Sequence, residues 1–352
     1  MKTHPHFRQI YIFAIICTLF SFKANAQEPD HEGSRVNWMT LEEALEKVKT
    51  TPKPIILDFY TDWCGWCKQM MKTTYADPNF AAYINTYFYP AKFNAEGKDT
   101  IEYLGVKYIP NSKEPRATHP LAMKLLQGKL TYPTTLFLNG YEKDKKEFGM
   151  NMLATGYLEV QKMEPILIFT LENVYRNSNY DDFRVQYEKA FFDTTVDKQN
   201  KEKVKWNAPK DVFNSTYQAK GKFKLVYINN NDWCNACKVM KRTSFIDTTL
   251  NAYLGEKYDL VDFNPENSDT LMFKGKAYTN PKTQAMPFHQ LAFEFGKGNL
   301  VFPTLIFLDE NNEFLDAIPS YLPPAVMSKI MRYYGDGINK TKSWKEFYTG
   351  TK

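Results

Sequence analysis

A chain of 352 residues with 43% hydrophobic content carries apolar material for one large core or two ordinary ones. Its formal charge of +5 falls to +2 once Lys2, Arg8 and Lys23 of the leader described below are set aside. That excludes the electrostatic footprint of a nucleic-acid binder, and no Lys/Arg block marks a membrane-surface segment.

Taken in chain order, residues 1–26 read as a secretory signal peptide. Lys2 and Arg8 precede an apolar run from Ile10 to Phe22, and Ala24-Asn25-Ala26 offers a small-x-small cleavage site. The run is short for a membrane span, and Ile16 is too bulky for a lipoprotein site at Cys17. Thr40 to Lys49 has a helical pattern, with Thr40 and Glu43 set as a capping box. Pro54 to Tyr60 is a short, mostly apolar run, as expected of a buried strand, and it leads into Trp63-Cys64-Gly65-Trp66-Cys67-Lys68. Helix is expected from Lys68 onward, and strands at Phe88 to Phe93 and Thr135 to Leu138. Ile166 to Leu171 is only a short apolar patch, and no later segment approaches a membrane-spanning length. Asp193 to Lys203 is polar and charged, as suits a linker. A further strand is expected at Leu305 to Leu308.

The motif recurs 170 residues later as Trp233-Cys234-Asn235-Ala236-Cys237-Lys238. Without a gap, the same offset pairs Phe93-Asn94 with Phe263-Asn264, His119 with His289, and Pro133-Thr134 with Pro303-Thr304. About a third of positions 62–138 are identical to 232–308, which marks a duplication. Val36-Asn37-Trp38 pairs with Val204-Lys205-Trp206, and Tyr157-Leu158 with Tyr321-Leu322, outlining the borders of each copy.

Of five cysteines, Cys17 leaves with the leader, and the other four form two Cys-x-x-Cys pairs. An exported protein that needs structural bridges joins distant cysteines, because long loops gain more from closure. A bridge across four residues stabilises very little, so these pairs serve redox chemistry or metal. A strand ending in Trp-Cys-x-x-Cys-Lys and continuing as a helix seats the first sulfur at the helix N-terminus. There, unpaired N–H groups and the helix dipole favour a thiolate. Cys64 and Cys234 then attack a disulfide, and Cys67 and Cys237 resolve the mixed disulfide.

With those residues in view, the chain resembles the thioredoxin superfamily. It looks similar to exported thioredoxin-like proteins with Trp-Cys-x-Trp-Cys-Lys and to the C-terminal domain of thiol:disulfide interchange reductases. The resemblance implies an α/β chain of two tandem thioredoxin-like domains, each a central mixed β-sheet flanked by helices. They would span 27–192 and 204–352, joined by 193–203. It identifies Tyr132-Pro133-Thr134 and Phe302-Pro303-Thr304 as the cis-proline loops beside the sulfurs, where Tyr132, Pro133, Phe302 and Pro303 meet substrate. Leu104 to Pro110 is a decoy for that loop, with Asn280 opposite the proline in the second copy. The resemblance also casts Asp58, six residues before Cys64, as the buried acid that relays the resolving thiol's proton. The second copy is read as placing Ile228 there, making domain one the faster reductase.

Each singled-out residue has a plainer reading beside the sharper one. Two Cys-x-x-Cys pairs could make a Cys₄ zinc site, although here each pair sits in its own copy. Trp63 and Trp233 either shield the motif and contact substrate or simply pack, and Trp66 suits surface recognition. Lys68 and Lys238 either tune the thiolate or lie solvated. His119 and His289, 52 residues after each resolving cysteine, read as helix-start residues bonded to backbone rather than as ligands. Asn214-Ser215-Thr216 and Asn339-Lys340-Thr341 fit glycosylation sequons that arise often by chance.

The expected function is thiol–disulfide exchange with protein thiols and disulfides outside the cytoplasm, in a periplasm by resemblance. No bound cofactor or metal is expected, and no stable membrane insertion. The absence of a His within either motif favours reduction or isomerisation over strong oxidation, so a membrane-bound electron donor is implied. The rival reading is a non-catalytic thioredoxin-like protein that holds clients or a metal.

Overall fold

Thr40 opens the first helix as the capping-box pattern predicts. Its Oγ1 accepts the Glu43 N–H at 3.2 Å, and Glu43 Oε2 accepts the Thr40 N–H at 2.9 Å. That satisfies donors left open by the helix geometry. The computed structural model describes residues 32–196, 204–217 and 221–350; the leader with Cys17, and linker positions 197–203, lie outside the described residues.

The first sheet has order β2-β1-β5-β6. β1 (Ile55–Tyr60) runs parallel to β2 (Tyr89–Asn94) and antiparallel to β5 (Thr134–Glu142), which pairs antiparallel with β6 (Glu147–Thr155). Alternation along the strands feeds two cores. Ile55, Leu57, Phe59, Leu136 and Leu138 face α1 (Leu41–Thr50) and α4 (Pro120–Leu125). Ile56 and Phe137 belong to the opposite core, with Met70 and Met71 of α2 (Gly65–Lys72) and Phe80 and Ile84 of α3 (Pro78–Tyr87). The decoy segment folds as a hairpin, β3 (Ile101–Tyr103) with β4 (Val106–Tyr108). Its two-residue turn needs positive φ at both positions, supplied by Leu104 (53°) and Gly105 (84°).

The second copy repeats the plan. Its sheet has order β13-β12-β8-β9-β7, with β7 (Trp206–Asn207), β8 (Phe223–Ile228), β9 (Tyr258–Phe263), β12 (Thr304–Leu308) and β13 (Phe314–Pro319). The edge strand β7 corresponds in the first copy to a single bridge, Met39 to Ala91.

Between the sheets lie α5 (Val160–Leu171) and α6 (Tyr180–Phe192). The apolar patch noted in the sequence is part of α5, which buries Met163, Ile166, Leu167, Ile168 and Phe169. A helix apolar on nearly all sides needs cover on all sides. One continuous core therefore holds Met70, Phe137, Leu167 and Phe183 from the first copy with Leu225, Val239, Phe307 and Tyr321 from the second. Among the described residues no helix is long and apolar enough to cross a membrane.

Candidate active site

Cys64 sits where β1 hands over to α2, as its N-cap residue, with extended backbone (φ −73°, ψ 99°). Its Sγ accepts the Cys67 N–H at 3.1 Å, so the sulfur fills the place that a Ser or Asp oxygen fills in an ordinary cap. A disulfide joins Cys64 to Cys67, with Cα atoms 5.3 Å apart. The sulfurs themselves are shielded, but the residues around them are not: Trp63 is 53% and Trp66 63% exposed.

Those rings belong to an aromatic rim. The Trp63 ring meets Tyr132 edge-on at 6.3 Å, which brings the cis Tyr132-Pro133 loop to the motif. Trp66 lies 5.5 Å from Tyr157, and Gly65 and Gln69 complete a shallow recess beside them. On the other side, Trp63 Nε1 donates to Glu96 at 3.0 Å and Arg116 covers the ring at 5.4 Å. Sequence reasoning missed Tyr157, Glu96 and Arg116. Glu96 had a signal, since it repeats as Glu266 at the shared offset and Trp233 Nε1 donates to Glu266 in turn. Arg116 had none, because Met286 stands opposite.

Asp58 is fully buried on the α2 side of β1, in register between Lys92 and Thr135. Thr135 Oγ1 donates to its Oδ1 at 3.4 Å. Its counterpart in the second copy is Tyr227, not the Ile228 expected from the sequence. Tyr227 pairs with Asp262 and Leu305, the repeats of Lys92 and Thr135, whereas Ile228 pairs with Phe263 as Phe59 does with Phe93. The loop after β8 has one extra residue. The Cys64 N–H reaches back to Thr61 O, but the Cys234 N–H reaches to Asn230 O, one residue further. Tyr227 donates its hydroxyl to the Cys237 carbonyl at 2.9 Å. Burial first, then the carboxylates of Asp262 and Glu172, push that phenol well up.

Cys234 caps the helix Asn235–Arg242 in the same way, accepting the Cys237 N–H at 3.1 Å, and the pair is disulfide-bonded with Cα atoms 5.2 Å apart. Trp233 meets Phe302 edge-on at 5.0 Å, beside the cis Phe302-Pro303 bond. The surroundings differ from the first site. Cys234, Ala236 and Cys237 are fully buried, and Glu172, the C-cap of α5, covers them. Its carboxylate accepts the N–H of Asn235 at 2.9 Å and of Ala236 at 2.7 Å, and lies 3.3 Å from Cys234 Sγ. Enclosure raises this carboxyl to about 7, against the pull of those two N–H groups and of Lys238.

His119 and His289 each cap a short helix. Nδ1 accepts the N–H of Leu121 or Leu291 at 3.1 Å, and Nε2 donates to the carbonyl of Asp99 or Asp269 at 3.0 Å. Both nitrogens are thus committed to backbone. Among the described residues no cluster of His, Cys, Asp and Glu side chains is drawn together as a metal site.

Two family models match the chain. One, described as "Protein of unknown function, DUF255" and named for a thioredoxin-like DsbH, matches residues 26–164. The other, "Thioredoxin-like domain", matches residues 214–335. The "Thiol:disulfide interchange protein DsbD" of Vibrio vulnificus is 43% identical over 47 residues, 13% of this chain and 8% of that protein. The protein of the same name from Ralstonia nicotianae is 35% identical over 77 residues, 20% of this chain and 13% of its own length. The chain thus spans only a small part of these curated relatives. Among solved structures, the C-terminal domain of DsbD from Neisseria meningitidis in the oxidised form is 19% identical, with a TM-score of 0.24. It covers 37% of this chain and 90% of that domain. With one matched region around each motif, the chain belongs to the thioredoxin superfamily.

Proposed function

We propose that the chain is an exported thiol–disulfide oxidoreductase that reduces or isomerises disulfides in protein clients through Cys64 and Cys67. One observation carries this reading: the Cys64 sulfur caps α2 beneath an exposed aromatic rim. The cap position favours a thiolate, and the rim offers a client apolar surface with polar edges.

In the reductive half-reaction, the Cys64 thiolate attacks one sulfur of a client disulfide. That bond breaks and its other sulfur leaves as a thiolate, giving a Cys64–client mixed disulfide. The Cys67 thiol gives up its proton, and Asp58 is the assigned acceptor. The Cys67 thiolate then attacks Cys64 Sγ, breaks the mixed disulfide and expels the second client sulfur as a thiolate. The client gains two electrons, Cys64–Cys67 becomes a disulfide, and an external dithiol must reset it. Burial makes a carboxylate a better proton acceptor near neutral pH, which supports the role given to Asp58.

Trp63, Trp66, Tyr132 and Pro133 hold the client at the first site in this proposal, and Trp233, Phe302 and Pro303 are their counterparts at the second. The domains divide at 27–192 and 204–352, no cofactor takes part, and a periplasm with a membrane-bound electron donor is the setting. The test is insulin reduction by the full chain with a dithiol reductant. Cys64→Ser should abolish turnover; turnover unaffected by that change would refute the reading.

A further inference from the structure

The Glu172-Asn173 turn touches both parts of the second site that a client would need. Glu172 takes two N–H donors from the first turn of the motif helix. Asn173, with φ of 56°, offers its carbonyl to Ser320 Oγ at 2.7 Å. Ser320 in turn donates its N–H to the carbonyl of cis-Pro303 at 2.7 Å. Nearby, Asn177 Nδ2 donates to Pro319 O at 3.1 Å, and Phe183 packs edge-on against Tyr321 at 5.3 Å. A segment of the first copy is thus held between the motif helix and the proline loop of the second.

The first site has the same skeleton without the insert. Gly156 repeats Ser320 and donates its N–H to Pro133 O at 2.8 Å, while Gly65 and Trp66 stand exposed. Their counterparts Asn235 and Ala236 bond to the carboxylate.

We propose that Glu172 is a specificity-determining residue that, with Asn173, occupies the second site as an internal pseudo-ligand and withholds Cys234–Cys237 from protein clients. Two physical effects combine. The segment fills the space a client backbone would enter. The carboxylate also takes up N–H groups that would otherwise stabilise a Cys234 thiolate, and sets a like charge beside that sulfur. The charged and titratable groups facing it are Lys238 on the motif helix, Tyr83 on α3 and Tyr227 on β8. A small dithiol needs less room than a protein client and is the less excluded reductant; it reduces the pair by donating two electrons and two protons and closing to a cyclic disulfide.

The test uses the full chain with Cys64→Ser and Cys67→Ser, so that only the second pair reports. Its disulfide is exposed to a reduced thioredoxin or to dithiothreitol, beside a chain in which only the first pair remains. Reduced thioredoxin should act on the second pair about a hundredfold more slowly than on the first, with a smaller gap for dithiothreitol, because exchange depends on access. Glu172→Gln and Glu172→Ala should each speed thioredoxin's attack on the second pair about tenfold or more. In the reduced protein, the pH profile of Cys234 alkylation should move down by about one unit in Glu172→Gln, roughly tenfold more thiolate at neutral pH. A purely structural Glu172 would not move that profile. Should Glu172→Ala unfold, Glu172→Gln decides. Equal reduction of both pairs by thioredoxin, or an unchanged rate in Glu172→Gln, overturns the proposal. The Glu172→Gln comparison within the Cys64→Ser, Cys67→Ser chain involves neither Cys64 chemistry nor insulin, so failure of the proposed reductase reading would leave it standing.

Discussion

Asp58 and Tyr75 share one hydroxyl: Thr135 Oγ1 lies 3.4 Å from the Asp58 carboxylate and 3.4 Å from the Tyr75 phenol. All three are buried. Burial first, then the charge of Asp58, pushes the Tyr75 phenol well up, so that phenol stays a neutral donor. The second copy has Tyr227 and Phe245 at these positions, with no acid.

Asp58→Asn should therefore strand the first site at the mixed disulfide. Insulin reduction is expected to fall about a hundredfold, the usual weight of a positioned proton acceptor. Gel electrophoresis should show the Cys64–client adduct building up. Turnover within about twofold of the wild type would remove Asp58 from the mechanism.

Trp66 touches solvent on most of its surface and Tyr157 on one side. Trp66→Ala should weaken a protein client by about 1–2 kcal/mol, seen as a rise in KM, while reaction with a small aromatic disulfide stays unchanged. Equal losses for both substrates would point to disturbed chemistry instead of recognition.

Glu172 sets a pH dependence of stability. Its folded value of about 7 lies above the ordinary 4.5, so between those values the folded chain binds more protons than the unfolded one. The contribution is complete below pH 4.5 and is lost as pH rises through 7. Urea melts should show a decline of about 1–3 kcal/mol across that window, and Glu172→Gln should flatten it. A wild-type curve that rises there would contradict the assignment.

Thr40 offers a check on the first helix. Thr40→Ala removes the acceptor for the Glu43 N–H and should cost about 1 kcal/mol. Thermal denaturation of the full chain measures it, and a Tm equal to wild type would mean that α1 frays without consequence.

Much of this was readable in the chain itself. The capping box, the buried run before Cys64 and the sulfur at the helix start are local features, and each lies within a few residues of its partner. The Ile228 assignment failed for a local reason too. Counting back from Cys234 assumes a loop of fixed length, and Asn229-Asn230-Asn231 adds a residue, which turns every later inference to the other face of the strand. Glu172 was beyond reach. It lies 62 residues before Cys234, carries no motif, and matters only because α5 and α6 bring it there. The patch Ile166–Leu171 stands out in the sequence only as too short to span a membrane, and marks neither a helix nor what covers it.

The way α5 is wrapped also governs how the molecule comes apart. Cutting the chain between its repeats would strip one side of a helix that is apolar all round from Pro165 to Phe169. Either fragment alone would carry an adhesive surface, prone to clumping. Heating the intact chain should then give a single calorimetric peak instead of two, despite the duplicated ancestry.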